Sequence, residues 1–332
     1  MTRTAPRTVR FAAGERNIFF HILTACNLAC AHCYINPGQH GHRPVDRNTL
    51  MSWLRLFFDP AKSNNLIFLG GEPTLHQGLA DGIREARRLG YASITVDTNG
   101  YCFHDILDAV APEQVVFSFS LDGPTPEVND AIRGPGSFEV CTGNLKRAVD
   151  KGFGTSVVCT VSRRNIGHLG RMPPLLAELG VGRFFIQVIG LRGKAAVQKD
   201  PLQLCPDHWL AIVPDAAREA ARLGLTAVYP KVYLDDGEPF ACAGNTAENF
   251  FVFPNGRVYR CPLCEDLPIH SLCIEGGRLQ ERPGLTERQL FTLCIPEGCV
   301  MNKLLQPGNI TYDSAGRPRH RISCCLLKNR FG

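Results

Sequence analysis

The chain has 332 residues, 44% of them hydrophobic and 20% charged, which predicts a globular protein of one large domain with an appendage. A net charge of +5 without a dense basic run argues against a nucleic-acid partner, and no apolar stretch of about 18 residues exists to cross a membrane. The basic N-terminus leads into an apolar run broken by Gly14, Glu15 and Arg16, so no export signal is read and a cytoplasmic, reducing setting is expected. Fifteen cysteines is then the outlying number, because thiols in such a setting serve metals, catalysis or packing rather than disulfides. Cys102, Cys141, Cys159 and Cys205 are scattered and read as small buried hydrophobes.

Along the chain, Asn17 to Leu23 is a short apolar run that predicts a first strand. Asp46 is a candidate N-cap for a helix through Leu50 to Phe58. Strands are expected at Asn65 to Leu69, Ser93 to Asp97, Gln114 to Ser120, Thr155 to Val161 and Arg183 to Ile189. Helices are expected at Gly82 to Leu89, Phe138 to Asp150 and Asp207 to Leu223. Continuous apolar strands alternating with helices indicate a parallel sheet covered on both faces, either a complete or partial β/α barrel or an open doubly wound sheet. In both architectures the site lies at the C-terminal ends of the strands. Beyond Val228 to Phe240 helical periodicity fades and Gly, Pro and Cys become frequent, which divides the chain into 1–228 and 229–332. A unit so poor in apolar segments calls for a metal or disulfide staple.

Directly after the first strand, Cys26, Cys30 and Cys33 are spaced C-x3-C-x2-C and followed by Tyr34. Cysteine thiolates are the usual ligands of iron–sulfur clusters. Three of them on a four-iron cube leave one iron open, where a small molecule is bound and activated. Structural zinc is the rival reading, with His32 as a fourth ligand. The second strand ends in Gly70, Gly71, Glu72 and Pro73: the glycines allow a backbone to approach a ligand closely, and Glu72 is placed to accept from an amino group.

The cysteine loop with its trailing aromatic and the Gly70-Gly71-Glu72-Pro73 run resembles the radical S-adenosylmethionine (SAM) superfamily over roughly Asn17 to Ile189. The resemblance implies a partial six-stranded (β/α) TIM-like barrel in which Cys26, Cys30 and Cys33 hold a [4Fe-4S] cluster. It implies that SAM binds the open iron, with Gly71 and Glu72 at the methionyl amine. Reductive cleavage of SAM would give a 5′-deoxyadenosyl radical that takes a hydrogen atom from the substrate. Ser118 to Pro124, Asn129 to Gly134 and Gly136 to Phe138 resemble a run of the peptide-modifying and maturase branch, with Asn129 where that run has histidine. In that branch the Ser120 equivalent meets the SAM ribose and the Arg133 equivalent its carboxylate. Asn99, in Thr98-Asn99-Gly100, fits a T-N-G pattern near the cofactor, and Gln187 on the sixth strand points to the same place. Taken alone, Asp122-Gly123-Pro124 reads as a turn and Arg133 as a surface charge.

Cys242, Gly256 and Cys261 resemble the opening of the SPASM/twitch auxiliary-cluster domain, with Asn255-Gly256 marking a hairpin. The remaining cysteines depart from that pattern, so one or two auxiliary clusters are open by count. At least one auxiliary [4Fe-4S] cluster is expected, on Cys242, Cys261 and Cys299 with Cys294 next. Cys264, Cys273, Cys324 and Cys325 are further candidates, and four-cysteine zinc is the alternative.

The expected function is radical chemistry on a peptide or protein substrate. The alternatives are the same chemistry on a nucleoside, sugar or tetrapyrrole intermediate, and a non-catalytic iron–sulfur or zinc protein. Few residues precede the first strand, so a leader-peptide-binding function is expected on a separate chain. A flavodoxin- or ferredoxin-like electron donor is the other expected partner. Asp235, Asp236, Glu238, Tyr229 and Tyr233 are weak candidates for substrate-facing groups, with a solvated acidic linker as the plainer reading.

Overall fold

The computed structural model describes residues 5–12, 14–103 and 105–332. Its strands are β1 (Arg7–Val9), β2 (Glu15–His21), β3 (Ser63–Leu69), β4 (Ser93–Thr98), β5 (Val116–Ser120), β6 (Gly154–Val161) and β7 (Arg183–Val188). They continue as β8 (Thr226–Pro230), β9 (Glu248–Val252), β10 (Arg257–Tyr259), β11 (Leu272–Glu275), β12 (Arg278–Glu281) and β13 (Lys328–Phe331). The order across the sheet is β1-β13-β8-β7-β6-β5-β4-β3-β2-β9-β10-β11-β12. From β8 across to β9 every neighbouring pair is parallel. The six expected strands are therefore β2 to β7, and the parallel run extends past them by one strand on each side.

The helices begin and end where local chemistry dictates. Asp46 accepts from the amides of Asn48 and Thr49, both at 3.0 Å, which satisfies two of the free donors at the start of helix Arg47–Phe57. Helix Leu79–Leu89 buries Leu79, Ile83 and Ala86 along one stripe and stops at Gly90, whose φ of 98° suits a residue without a Cβ. Pro206 opens helix Pro206–Arg222, where its missing amide costs nothing. That helix turns Trp209, Val213, Ala216, Ala217 and Ala220 inward. Helix Pro126–Arg133, where the sequence reading gave no element, follows directly after Asp122-Gly123-Pro124.

The C-terminal third is built into this sheet. β9 runs parallel beside β2, with Ile18 opposite Phe250, and the Phe19 and Phe251 rings stack at 4.4 Å. β9 and β10 form the hairpin that Asn255-Gly256 predicts. At the opposite side β13 pairs antiparallel with β8, and β1 covers β13. The division after residue 228 thus falls within β8. Among the described residues, no helix is long and apolar enough to cross a membrane.

Candidate active site

Past β2 and β3 the two chains keep pairing. Ile22 N donates to Leu69 O at 3.0 Å, Gly71 N to Leu23 O at 3.0 Å and Glu72 N to Ala25 O at 2.9 Å. The entry to the cysteine loop therefore lies along Gly70-Gly71-Glu72, and a Cβ on Gly71 would overlap the carbonyl oxygens of Thr24 and Ala25. The backbone these glycines admit is that of the cysteine loop itself. Glu72 is 1% exposed. Its carboxylate accepts from Thr74 N (3.0 Å), Thr74 Oγ1 (2.6 Å), Thr98 Oγ1 (2.8 Å) and Asn99 N (2.7 Å). Burial pushes its carboxyl up and these donors pull it back. Asn99 Nδ2 donates to Asn27 Oδ1 at 2.9 Å and approaches Cys26 Sγ at 3.6 Å.

The other flank of the loop rests on helix Pro126–Arg133, where Ala31 N donates to Ile132 O at 2.9 Å. Asp122 is fully buried and pairs with Arg133 at 2.7 Å and His32 at 3.3 Å, and its carboxylate also accepts from Thr160 N at 2.7 Å. Asn129 accepts from Asp122 N at 2.9 Å and donates to Ser137 Oγ at 2.8 Å. Asp122-Gly123-Pro124 is more than a turn, and Arg133 is an internal cation. His32 faces Asp122, which disfavours its use as a zinc ligand.

Cys26, Cys30 and Cys33 border one cavity of about 410 Å³. So do Tyr34, Gly70, Gly71, Glu72, Asn99, Ser120, Arg133 and Gln187, every residue the sequence assigned to SAM. Strand alternation explains the convergence: Asp97, Ser120, Thr160, Phe185 and Gln187 face the cavity while Val96, Phe119, Cys159 and Ile186 pack outward. Burial, above all, raises the Cys26 thiol to about 11. Among the described residues, no three His, Cys, Asp or Glu side chains converge as they would on a single metal ion. A cube makes no such demand, because each thiolate meets a different iron. The loop, with its three thiols on the cavity, fits a cluster better than a lone zinc.

The C-terminal third closes this cavity. The segment Gly190 to Gln198 bridges it to the cysteine loop. Lys194 N donates to Cys33 O and Gln198 Nε2 to Ala31 O, both at 2.8 Å. Gly193 N donates to Asp266 Oδ2 at 2.7 Å, while Arg192 pairs with Glu265, donates to Pro262 O at 2.6 Å and stacks 4.7 Å over the Tyr34 ring. Tyr34 Oη hydrogen-bonds His21 Nε2 at 2.8 Å.

Behind that wall Cys242, Cys261, Cys299, Cys324 and Cys325 surround a second, apolar recess. Cys264 is buried beside Cys261. Cys294 is exposed and does not join them, since it follows the short helix Glu287–Phe291 on the outside. Cys324 is buried and lines the recess. Cys273 sits on β11 against Glu275 at 3.4 Å, away from the group. Five buried or half-buried thiols around one apolar recess are enough for the four ligands of a single cube.

Asp235 and Glu238 both pair with Lys231, at 2.6 and 2.7 Å, and do not border the main cavity, and neither does Asp236. Tyr229 is buried against Phe331 at 6.3 Å between centroids and also stays outside it; Tyr233 reaches the cavity. The sequence reading missed Asp97, Arg192 and Lys328, which all line it. Only Asp97 had a local signal, two residues before Asn99 on an inward strand position.

An open parallel barrel with a three-cysteine loop at the mouth of an early strand, facing a large cavity, defines a class of cofactor-dependent radical enzyme. Residues 20–169 match the family model "Radical SAM superfamily", and with the relatives below this radical SAM domain supports a radical SAM enzyme. The superfamily's cofactors are a [4Fe-4S] cluster and SAM. The mycofactocin maturase MftC of Mycobacterium ulcerans is 27% identical over 307 residues, covering 85% of this chain and 77% of its own length. A probable GTP 3′,8-cyclase of Saccharolobus islandicus is 24% identical, covering 82% of this chain and 91% of its own. The structure of Streptococcus suis SuiB bound to its precursor peptide SuiA superimposes with a TM-score of 0.64 at 12% identity. That likeness covers 88% of this chain and 64% of SuiB, and it shows the shared fold, a partial TIM barrel.

Proposed function

We propose that the chain uses SAM to abstract a hydrogen atom from a peptide substrate. Cys26, Cys30 and Cys33 hold the SAM cluster in this reading, and Cys242, Cys261, Cys299 and Cys324 hold one auxiliary cluster. When bound and reduced, the cluster supplies the electron that cleaves SAM to the radical that abstracts hydrogen. The observation that carries the reading is the single cavity that gathers the cysteine loop and all eight assigned SAM residues. Asn99 and Glu72 orient the loop from one side, the Asp122–Arg133 pair from the other, and the C-terminal third contributes residues such as Ser323 and Lys328 to the cavity wall.

Residues 1–228 act as the SAM-cleaving part and 229–332 as the auxiliary part. The maturase relative and the peptide bound to SuiB support a peptide substrate. The likeness to a GTP cyclase over 91% of that protein favours a small-molecule substrate as the second reading. A flavodoxin- or ferredoxin-like donor and a separate leader-binding protein complete the proposed set of partners.

The test is anaerobic reconstitution with iron, sulfide, SAM and reductant, fed in parallel with perdeuterated peptides and perdeuterated nucleotides. Deuterium in 5′-deoxyadenosine from the peptide arm is expected. Label from the nucleotide arm alone would move the assignment to the second reading, and no 5′-deoxyadenosine in either arm would sink both. Iron counting tests the ligands: a Cys26/Cys30/Cys33 triple alanine variant retains about four irons, and Cys324→Ser in that background removes them while Cys294→Ser does not.

A further inference from the structure

The cavity wall supplied by the end of the chain carries polar groups that the reading above does not use. Lys328 lies with its ammonium 4.9 Å over the Phe185 ring and donates to Cys325 O at 2.9 Å. Among the described residues it has no carboxylate partner, and the charges that act on it are the thiols of Cys324 and Cys325. Ser323 is 2% exposed and its Oγ has no hydrogen-bond partner, and the amide nitrogen of Gln203 has none. All three residues line the main cavity. β13 pairs Lys328 with Pro230, and Ser323 N donates to Val232 O at 2.9 Å, so both are anchored to the end of β8 and the residues just after it.

The other cations of the cavity are committed. Arg133 is paired with Asp122 and Arg192 with Glu265. Lys328 is left as the cation that meets an incoming anion, with Phe185, Trp209, Tyr233 and Phe251 as apolar surroundings. A buried ammonium with only a backbone carbonyl as acceptor and a buried hydroxyl with no partner are costly in the free protein, and a ligand oxyanion supplies what they lack.

We propose that Lys328, with Ser323 and Gln203, forms a subsite that receives an oxyanion of the substrate, carried on an aromatic or apolar group. The proposal rests on the reading that SAM and substrate share this cavity. Its oxyanion is a carboxylate, as at a peptide C-terminus, or a phosphate, as on a nucleotide.

The test is calorimetric titration of the anaerobically reconstituted holoenzyme, with SAM present, using hydrocinnamate, hydrocinnamide and phenethyl phosphate. At least one anion is expected to bind about tenfold or more tightly than the neutral amide. Lys328→Met brings that anion down to the amide's affinity, Lys328→Arg keeps the preference, and Ser323→Ala weakens it. The tighter of the two anions identifies the source. Equal binding of amide and both anions, or a preference that survives Lys328→Met, overturns the subsite. Titrating SAM into the same samples separates the two ideas. Failure to bind SAM removes the shared cavity, whereas SAM binding without any anion preference removes only the subsite.

Discussion

Asp97 sits on the inner face of β4 with Ser118 as its hydrogen-bonding neighbour and Glu72 as the adjacent like charge, and burial raises its carboxyl to about 7. A carboxyl raised above its unfolded value binds a proton that the unfolded chain releases, so stability falls as pH rises from about 4 to about 7. Asp97→Asn removes that slope. Urea unfolding of the holoprotein between about pH 5.5 and about pH 8 is expected to show a loss, on the order of a few kcal/mol, that the variant largely lacks. The same loss in both proteins would mean that Asp97 stays ionised throughout. At this scale the sequence was legible wherever chemistry is local. Cys26, Cys30 and Cys33 stand within eight residues, and Gly70 to Glu72 closes the next strand. Asn99, Ser120 and Arg133 sit in short patterned runs. Lys328 and Ser323 carry no local pattern and enter the site only because the chain end returns to β8. Cys294 lies exposed, away from the other thiols, and the sequence did not show this for the related reason that spacing does not tell which side of a loop faces inward.

The segment Gly190 to Gln198 ties the cysteine loop to the turn after Cys261. Its tightest point is Gly193, at φ 51°, where a Cβ would lie 2.7 Å from Cys33 O and 2.8 Å from the Tyr34 carbonyl carbon. Gly193→Val is therefore expected to displace Cys33 and lower iron loading by about four, leaving the auxiliary irons in place. Iron and sulfide analysis with the visible spectrum reads this directly, and full loading would show that the segment yields without disturbing the loop. Long elements were readable because caps and stripes are sequence properties, as Asp46 and Leu79-Ile83-Ala86 show. Helix Pro126–Arg133 was missed because Asp-Gly-Pro before it reads as a stop. β8 and β13 were missed because short strands are defined by their neighbours rather than by their own periodicity.

For the whole molecule, the parallel run is finished by strands from the last third, β9 beside β2 and β13 beside β8. A chain lacking Lys328–Phe331 leaves the β8 edge unpaired, and unpaired edges invite association with other chains. Such a truncation is expected to elute as aggregate in size-exclusion chromatography and to unfold at lower urea than the full chain. A monomer of unchanged stability would show that β13 is an accessory. The sequence reading recovered the six-stranded core and its mouth. It placed the later residues apart because cysteine-rich, aperiodic chain looks separate until its pairing partners are known.

The position of β9 also sets an order of events during synthesis. β2 and the cysteine loop leave the ribosome early, but the strand that covers the other side of β2 emerges roughly two hundred residues later, a delay of about ten seconds or more at usual elongation rates. For that interval three reactive thiols lie next to an open β edge, exposed to oxidants and to other nascent chains. Iron delivered before Glu248–Val252 arrives meets the loop beside an open β edge, and iron delivered afterwards meets it with that edge already covered.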